Sequence, residues 1–122
     1  MVLFLNNNDV RKVLTVDLCM EALEEIFIEF GEGNAVRKPR IDVAVPNVKP
    51  GLTYRYASME GASRKYETFA LRMYSNMTYD SFGGSRHEIY SVAPGTYLGL
   101  IFLFSISNAE LLAVIPDGYL QH

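Results

Sequence analysis

Residues 96–116 read TYLGLIFLFSISNAELLAVIP, and this stretch decides the fold. From Tyr97 to Ile115 it is long and apolar enough to invite comparison with a membrane span. Yet Ser105, Ser107, Asn108 and Glu110 fall at its middle, where a spanning helix would meet hydrocarbon. The stretch therefore reads as two strands and a turn. Tyr97 to Phe104 is nearly all apolar, as suits a central strand buried on both faces, and Leu111 to Ile115 returns after the polar turn Ser107-Asn108-Ala109-Glu110.

Working outward, Thr53 to Met59 and Phe69 to Ser75 read as neighbouring antiparallel strands, with Glu60-Gly61-Ala62-Ser63 as the turn between them. Ile41, Val43 and Val45 alternate with Asp42 and Ala44, the pattern of a half-buried strand, before Pro46 and Pro50 mark a loop. The segment from Asn76 to Gly95 has weak periodicity and two adjacent glycines, Gly83 and Gly84. It reads as a long excursion with one short strand at His87 to Val92, and loops of that length commonly carry function.

The N-terminal part is helical. Asn8 or Asp9 is placed to cap a short helix through Leu14, and Thr15 restarts the chain as a second cap, with Asp17 near the positive end of the helix dipole. Val16, Cys19, Met20, Leu23, Ile26, Phe27 and Phe30 then recur at helical spacing, and Gly31 and Gly33 supply the residues on which helices end. Asp17, Glu21, Glu24, Glu25, Glu29 and Glu32 give this helix and its exit an acidic outer face without a single base. The basic run Arg37-Lys38-Pro39-Arg40 follows at once, extended by its proline. These elements predict an α+β fold, N-terminal helices packed on a mostly antiparallel sheet, without internal repeats.

The 122 residues, 49% of them hydrophobic, fit one domain. Folded, such a chain is expected to expose ~6,600 Å² and to bury about two thirds of its extended surface. A net charge of −3 disfavours nucleic acid, because phosphate binding needs a basic field over a whole face. One cysteine and two histidines exclude a disulfide framework and are too few for a His/Cys-rich zinc site. With no secretory leader in MVLFLNNNDV, the expected location is cytoplasmic, with no membrane partner. The chain ends in Pro116-Asp117-Gly118-Tyr119-Leu120-Gln121-His122, where Asp117 is placed to begin a new helix. So apolar a sheet is expected to need further helices, a second subunit, or both to cover it, and the apolar hairpin is expected to drive self-association.

Four stretches then carry a family resemblance: LNNNDVRKVLTVDLCMEALEEIFIEFGEG, Arg37-Lys38-Pro39-Arg40, YRYASMEG around Met59, and LGLIFLFSISNAELLAVIPDGYLQH. Their order resembles the N-terminal domain of the ornithine cyclodeaminase/mu-crystallin family. The resemblance implies that residues 1–122 form a substrate-binding and dimerisation domain, incomplete without a Rossmann domain that binds NAD or NADP. Full-length members resembling ornithine cyclodeaminase convert ornithine to proline with ammonia release, and relatives reduce imines or oxidise alanine. A small amino-acid or imine substrate and a homodimer are thus implied. Other relatives bind ligands without catalysis, or accompany amine oxidases as accessory subunits.

By the same resemblance, Arg40 matches the arginine that grips a substrate carboxylate, for which a guanidinium fork is suited. Arg72 stands where many members have a lysine that helps the chemistry. Arginine keeps the charge but does not readily lose a proton, so acid–base work and ornithine as substrate both come into question. Thr96 and Met59 match residues lining the substrate pocket, while the family's catalytic aspartate has no counterpart in this chain, which alone is expected to be inactive. On spacing alone, Arg40 reads first as a solvated arginine and Met59 as core filling, while Arg72 reads equally as an outward strand residue and Thr96 as a strand-entry hydroxyl.

Other patterns carry less. Gly31-Glu32-Gly33 lacks the third glycine of a dinucleotide loop and follows a helix instead of a strand. Glu60 and Glu67 read as solvated turn charges, and Cys19 as an inert thiol on the apolar stripe. Arg55-Tyr56 and Arg64-Lys65-Tyr66 interleave base with aromatic, but without the surrounding positive field that single strands require.

Overall fold

The computed structural model describes residues 1–89 and 99–120. After a two-residue strand β1 (Leu3–Phe4), Asn6 caps helix α1 (Asn7–Val13), its Oδ1 accepting from the amides of Asn8 and Asp9 while Asp9 bonds back to the Asn6 amide. The cap therefore lies earlier than Asn8 or Asp9, because Asp9 is the third-position partner of a capping box rather than the cap. Thr15 does cap α2 (Val16–Gly31), accepting from the Leu18 amide at 3.1 Å, and the helix stops at the expected glycine.

Seven further strands follow among the described residues: β2 (Ala35–Arg37), β3 (Ile41–Pro46), β4 (Thr53–Ser63), β5 (Thr68–Asp80), β6 (Arg86–Ile89), β7 (Gly99–Ser105) and β8 (Leu111–Pro116). They form one sheet in the order β1-β8-β7-β5-β4-β2. The outer edge of β4 is shared by β2 and β3, and β6 extends the far edge of β5 beyond β7. Every pairing is antiparallel except β1 with β8, so the α+β expectation holds, with one parallel strand.

The expected turn at Glu60–Ser63 does not occur. Those residues continue β4, pairing with Leu71 to Thr68, and the chain reverses at Arg64–Glu67, where Glu67 takes φ 51°. Gly61 misleads because its missing side chain serves close approach: an added Cβ would lie 3.3 Å from the Val36 carbonyl on neighbouring β2. Part of the excursion is strand, since Arg86–Ile89 pairs with β5; the rest of the expected His87–Val92 strand lies outside the described residues.

The core is smaller than length predicts. Accessible surface is 8762 Å² against the ~6,600 Å² expected, and among described apolar residues only Val10, Ala35, Ala57 and Ala113 are buried. The cause is architectural, since α2 covers a single layer of sheet only beside β2 while α1 packs on β8. Most of the apolar stripe on α2 stays exposed, Phe27 at 73%, and β3 is exposed along its length rather than half-buried. What α2 buries instead is Glu29, whose carboxylate accepts from Ser63 Oγ and the Lys65 amide. Glu25 likewise faces the turn, paired with Lys65 at 2.8 Å and with Tyr66. The acidic face is thus partly the docking face, correcting the expectation of a solvated one. Central β7 is half-buried rather than enclosed on both faces.

Candidate functional site

Residues directly opposite in an antiparallel pair share a face, so Arg55, Ala57, Met59, Gly61 and Ser63 of β4 stand beside Asn76, Tyr74, Arg72, Ala70 and Thr68 of β5. At the helix end of this face the side chains are small, leaving an apolar groove of about 690 Å³ beneath Ala22, Ile26 and Phe30. Further along, Met59 and Arg72 begin a cleft of about 620 Å³, closed on its other sides by Arg37, Lys38, Arg40 and Ile101. Phe30, Arg37, Gly61 and Ala70 line both hollows, which are therefore continuous.

Arg40 reaches this cleft from the extended linker between β2 and β3, which the Lys38 amide ties to the Glu60 carbonyl at 3.0 Å. Its side chain is 47% exposed; Nε and Nη2 hold Asp42 Oδ1 at 3.0 and 2.9 Å, and Nη2 also donates to the Tyr74 hydroxyl. The Asp42 carboxylate raises the Arg40 pKa further, so the guanidinium is permanently charged. Asp42 occupies one edge of the fork, and Nη1 is left for a ligand.

Arg72 approaches the same tyrosine from the strand side, its Cζ 5.1 Å from the Tyr74 ring centre against 5.4 Å for Arg40. Two guanidinium groups therefore share one aromatic ring, an arrangement favoured by its negative π-face. Arg72 Nε also pairs at 2.9 Å with Asp117, which is fully buried and whose other oxygen accepts from the Gly99 amide at 2.6 Å. Asp117 thus fixes Arg72 and the start of β7 together. Gly99 has no room for a side chain, since a Cβ there would lie 1.9 Å from the Met73 carbonyl oxygen.

The structure brings Arg40, Met59 and Arg72 to one cleft, whereas Thr96 lies outside the described residues. Sequence reasoning missed Tyr74 and Asp117. The available signal for Asp117 was an acid directly following an apolar strand, where burial demands a cationic partner. Glu60 also lines the cleft, and its Oε1 accepts from Ser58 at 3.0 Å. The described residues do not fit a dinucleotide: Gly31 and Gly33 close a helix, with Gly33 at φ 76°, whereas a phosphate cradle opens one. No helix is long and apolar enough to cross a membrane.

No family model and no curated protein matches the sequence. Solved structures do match in fold. A probable ornithine cyclodeaminase from Bordetella pertussis Tohama I superposes with TM-score 0.68 at 17% identity over 99% of this chain. The iminosuccinate reductase of Paracoccus denitrificans in complex with NAD+ gives 0.67 at 15% over 98%. An archaeal alanine dehydrogenase dimer with bound NAD gives 0.63 at 20% over 98%. In each case the chain spans 32% of the other's length. The fold is the one the family resemblance implied, shared here with about a third of each of these larger chains.

Proposed function

We propose that the chain is the substrate-binding and dimerisation domain of an ornithine cyclodeaminase-like, NAD(P)-dependent protein acting on a small amino acid or imine. The observation that carries this reading is the convergence of Arg40, Met59 and Arg72 on one cleft, within a fold shared over nearly all of the chain with three such proteins. In this reading NAD or NADP belongs to a separate Rossmann domain, and the chain's own part is to bind and orient. Arg40 takes the substrate carboxylate on the donors that Asp42 leaves, Tyr74 holds that guanidinium in place, and Met59 supplies an apolar wall. A homodimer would cover the sheet and the helix stripe, and a cytoplasmic location accords with this role.

The test is calorimetric titration of the full chain with L-alanine and L-ornithine. Arg40→Ala is expected to weaken carboxylate binding by about 2–4 kcal/mol, the scale for removing one side of a desolvated charge pair. Unchanged affinity rejects Arg40 as the anchor.

One observation favours a second reading, in which the protein binds a ligand without turning it over, as a mu-crystallin-like binder or an accessory subunit. Arg72 stands where many members have lysine, and Asp117 holds it. A guanidinium so held supplies a fixed positive charge, where a lysine would supply a mobile ammonium. Amino-acid binding without nucleotide-dependent turnover in the whole protein would select this reading.

A further inference from the structure

The apolar groove beneath α2 and the arginine cleft share Phe30, Arg37, Gly61 and Ala70, so a ligand held in the cleft has the groove open beside it. From Met59 opposite Arg72 to Ser63 opposite Thr68, the floor spans four residue steps on each strand, about 13 Å at ~3.3 Å per step. Gly61 and Ala70 form the middle of that floor, and α2 lays Ala22, Ile26 and Phe30 over it. Charge divides the two hollows sharply. Arg37, Lys38, Arg40 and Arg72 line the cleft, with Glu60 the one acid among the described residues there. Asp42 and Asp117 engage Arg40 and Arg72, and Glu60 accepts from Ser58. The side chains of Arg37 and Lys38, by contrast, make no hydrogen bond or ion pair among the described residues. None of the described residues lining the groove is acidic, and Glu29, which binds Ser63 at its far end, is buried and taken up by that hydroxyl and the Lys65 amide.

We infer that the ligand is an amino acid, or its imine, with an extended apolar side chain: the carboxylate sits in the cleft and the chain lies along the groove. This rests on the cleft reading above and adds to it a substrate class that disfavours ornithine. Laid along the groove, the terminal ammonium of ornithine would lose its water near Arg37 with no carboxylate to receive it, and burial of an unpaired charge is costly. A methyl or methylene in the same place gains affinity. The gain is about two- to fourfold for each methylene, the upper figure being full burial and the lower reflecting a groove whose rim residue Phe27 stays exposed. The carboxylate is the complement of the two uncommitted cations, Arg37 and Lys38, at the mouth where groove and cleft meet.

The experiment is calorimetric titration of the full chain with L-alanine, L-norleucine, L-α-aminooctanoate and L-ornithine, and with heptylamine, which is α-aminooctanoate without its carboxylate. L-norleucine matches L-ornithine atom for atom except for a methyl in place of the ammonium, and is expected to bind at least tenfold more tightly. L-α-aminooctanoate is expected to bind at least fourfold more tightly again, and heptylamine at least tenfold more weakly than α-aminooctanoate. Ala22→Leu, which fills the groove from the helix side, is expected to shrink the ratio of α-aminooctanoate to alanine affinity at least fivefold; should that variant not fold, the chain-length series decides alone. Ornithine binding as tightly as norleucine, a series flat from alanine to α-aminooctanoate, or heptylamine matching the acid overturns the inference. A flat series together with dissociation of a dimer by Ala22→Leu in light scattering overturns it too, and assigns the groove to a second copy of the chain. If L-alanine binds and the series is flat, only this inference falls; if none of the acids binds, the cleft reading falls with it.

Discussion

The two ends of one sheet face are built from the same pair of strands and behave as different materials. At the helix end, Gly61 opposite Ala70 and Ser63 opposite Thr68 are small, so α2 comes close enough for Glu29 to reach Ser63 and the turn. Three residue pairs further along, Arg55 opposite Asn76 and Ala57 opposite Tyr74 leave no place for a helix and make polar hollows instead. The lesson is that side-chain size along a two-strand ribbon decides where cover ends and where a site can begin, while register keeps both on the same side.

The sharpest way to break this contrast is Gly99→Ala. Its added methyl would meet the Met73 carbonyl oxygen and the Tyr74 Cβ, neither of which can withdraw cheaply, and a loss of about 3 kcal/mol or more is expected in urea unfolding. Amide exchange should locate the damage in β5 and β7 with α2 protected; equal loss of protection at both ends would show that they are not separable.

Next is Arg72→Gln, which leaves the buried Asp117 carboxylate without its cation and is expected to cost about 3 kcal/mol. A stability within 0.5 kcal/mol of the parent, the ordinary range for surface changes, would show that Asp117 is satisfied without Arg72.

A smaller effect is expected from acid at the opposite end. The Ser63 hydroxyl holds the Glu29 carboxyl below its ordinary value of 4.5, and the Lys65 ammonium does the same for Glu25. Because both folded values are depressed, their contribution is complete above pH 4.5 and is lost as pH falls through the lower folded values. Melting curves taken downward from pH 6 should show α2 loosening first, and Glu29→Gln should flatten that dependence.

Smallest of all, Arg40→Ala should change stability by less than about 0.5 kcal/mol, since its pair with Asp42 is half-exposed. A larger loss would mean that Arg40 is structural, and its effect on ligand binding would need reinterpretation.

Much of this was legible in the sequence. Helical spacing and the Thr15 cap placed α2, and the apolar hairpin placed β7 and β8. The turn after β4 was not legible because a glycine reads the same whether it bends a chain or admits a neighbour's backbone, as Gly61 does. Strands β1 and β2 were too short to show periodicity. Within the site, Arg40, Met59 and Arg72 came from resemblance, and the structure brought them together. Tyr74 and Asp117 depend on contacts across 34 and 45 residues, which no local pattern encodes.

Asp117 also bears on how the molecule comes apart. Its carboxylate joins the end of one strand, the first amide of another and the inner wall of the cleft, so none of the three can melt without stranding a charge in the interior. Ligand affinity and hairpin integrity should therefore vanish in a single cooperative step on heating, with no temperature at which the hairpin persists around an empty, disassembled cavity.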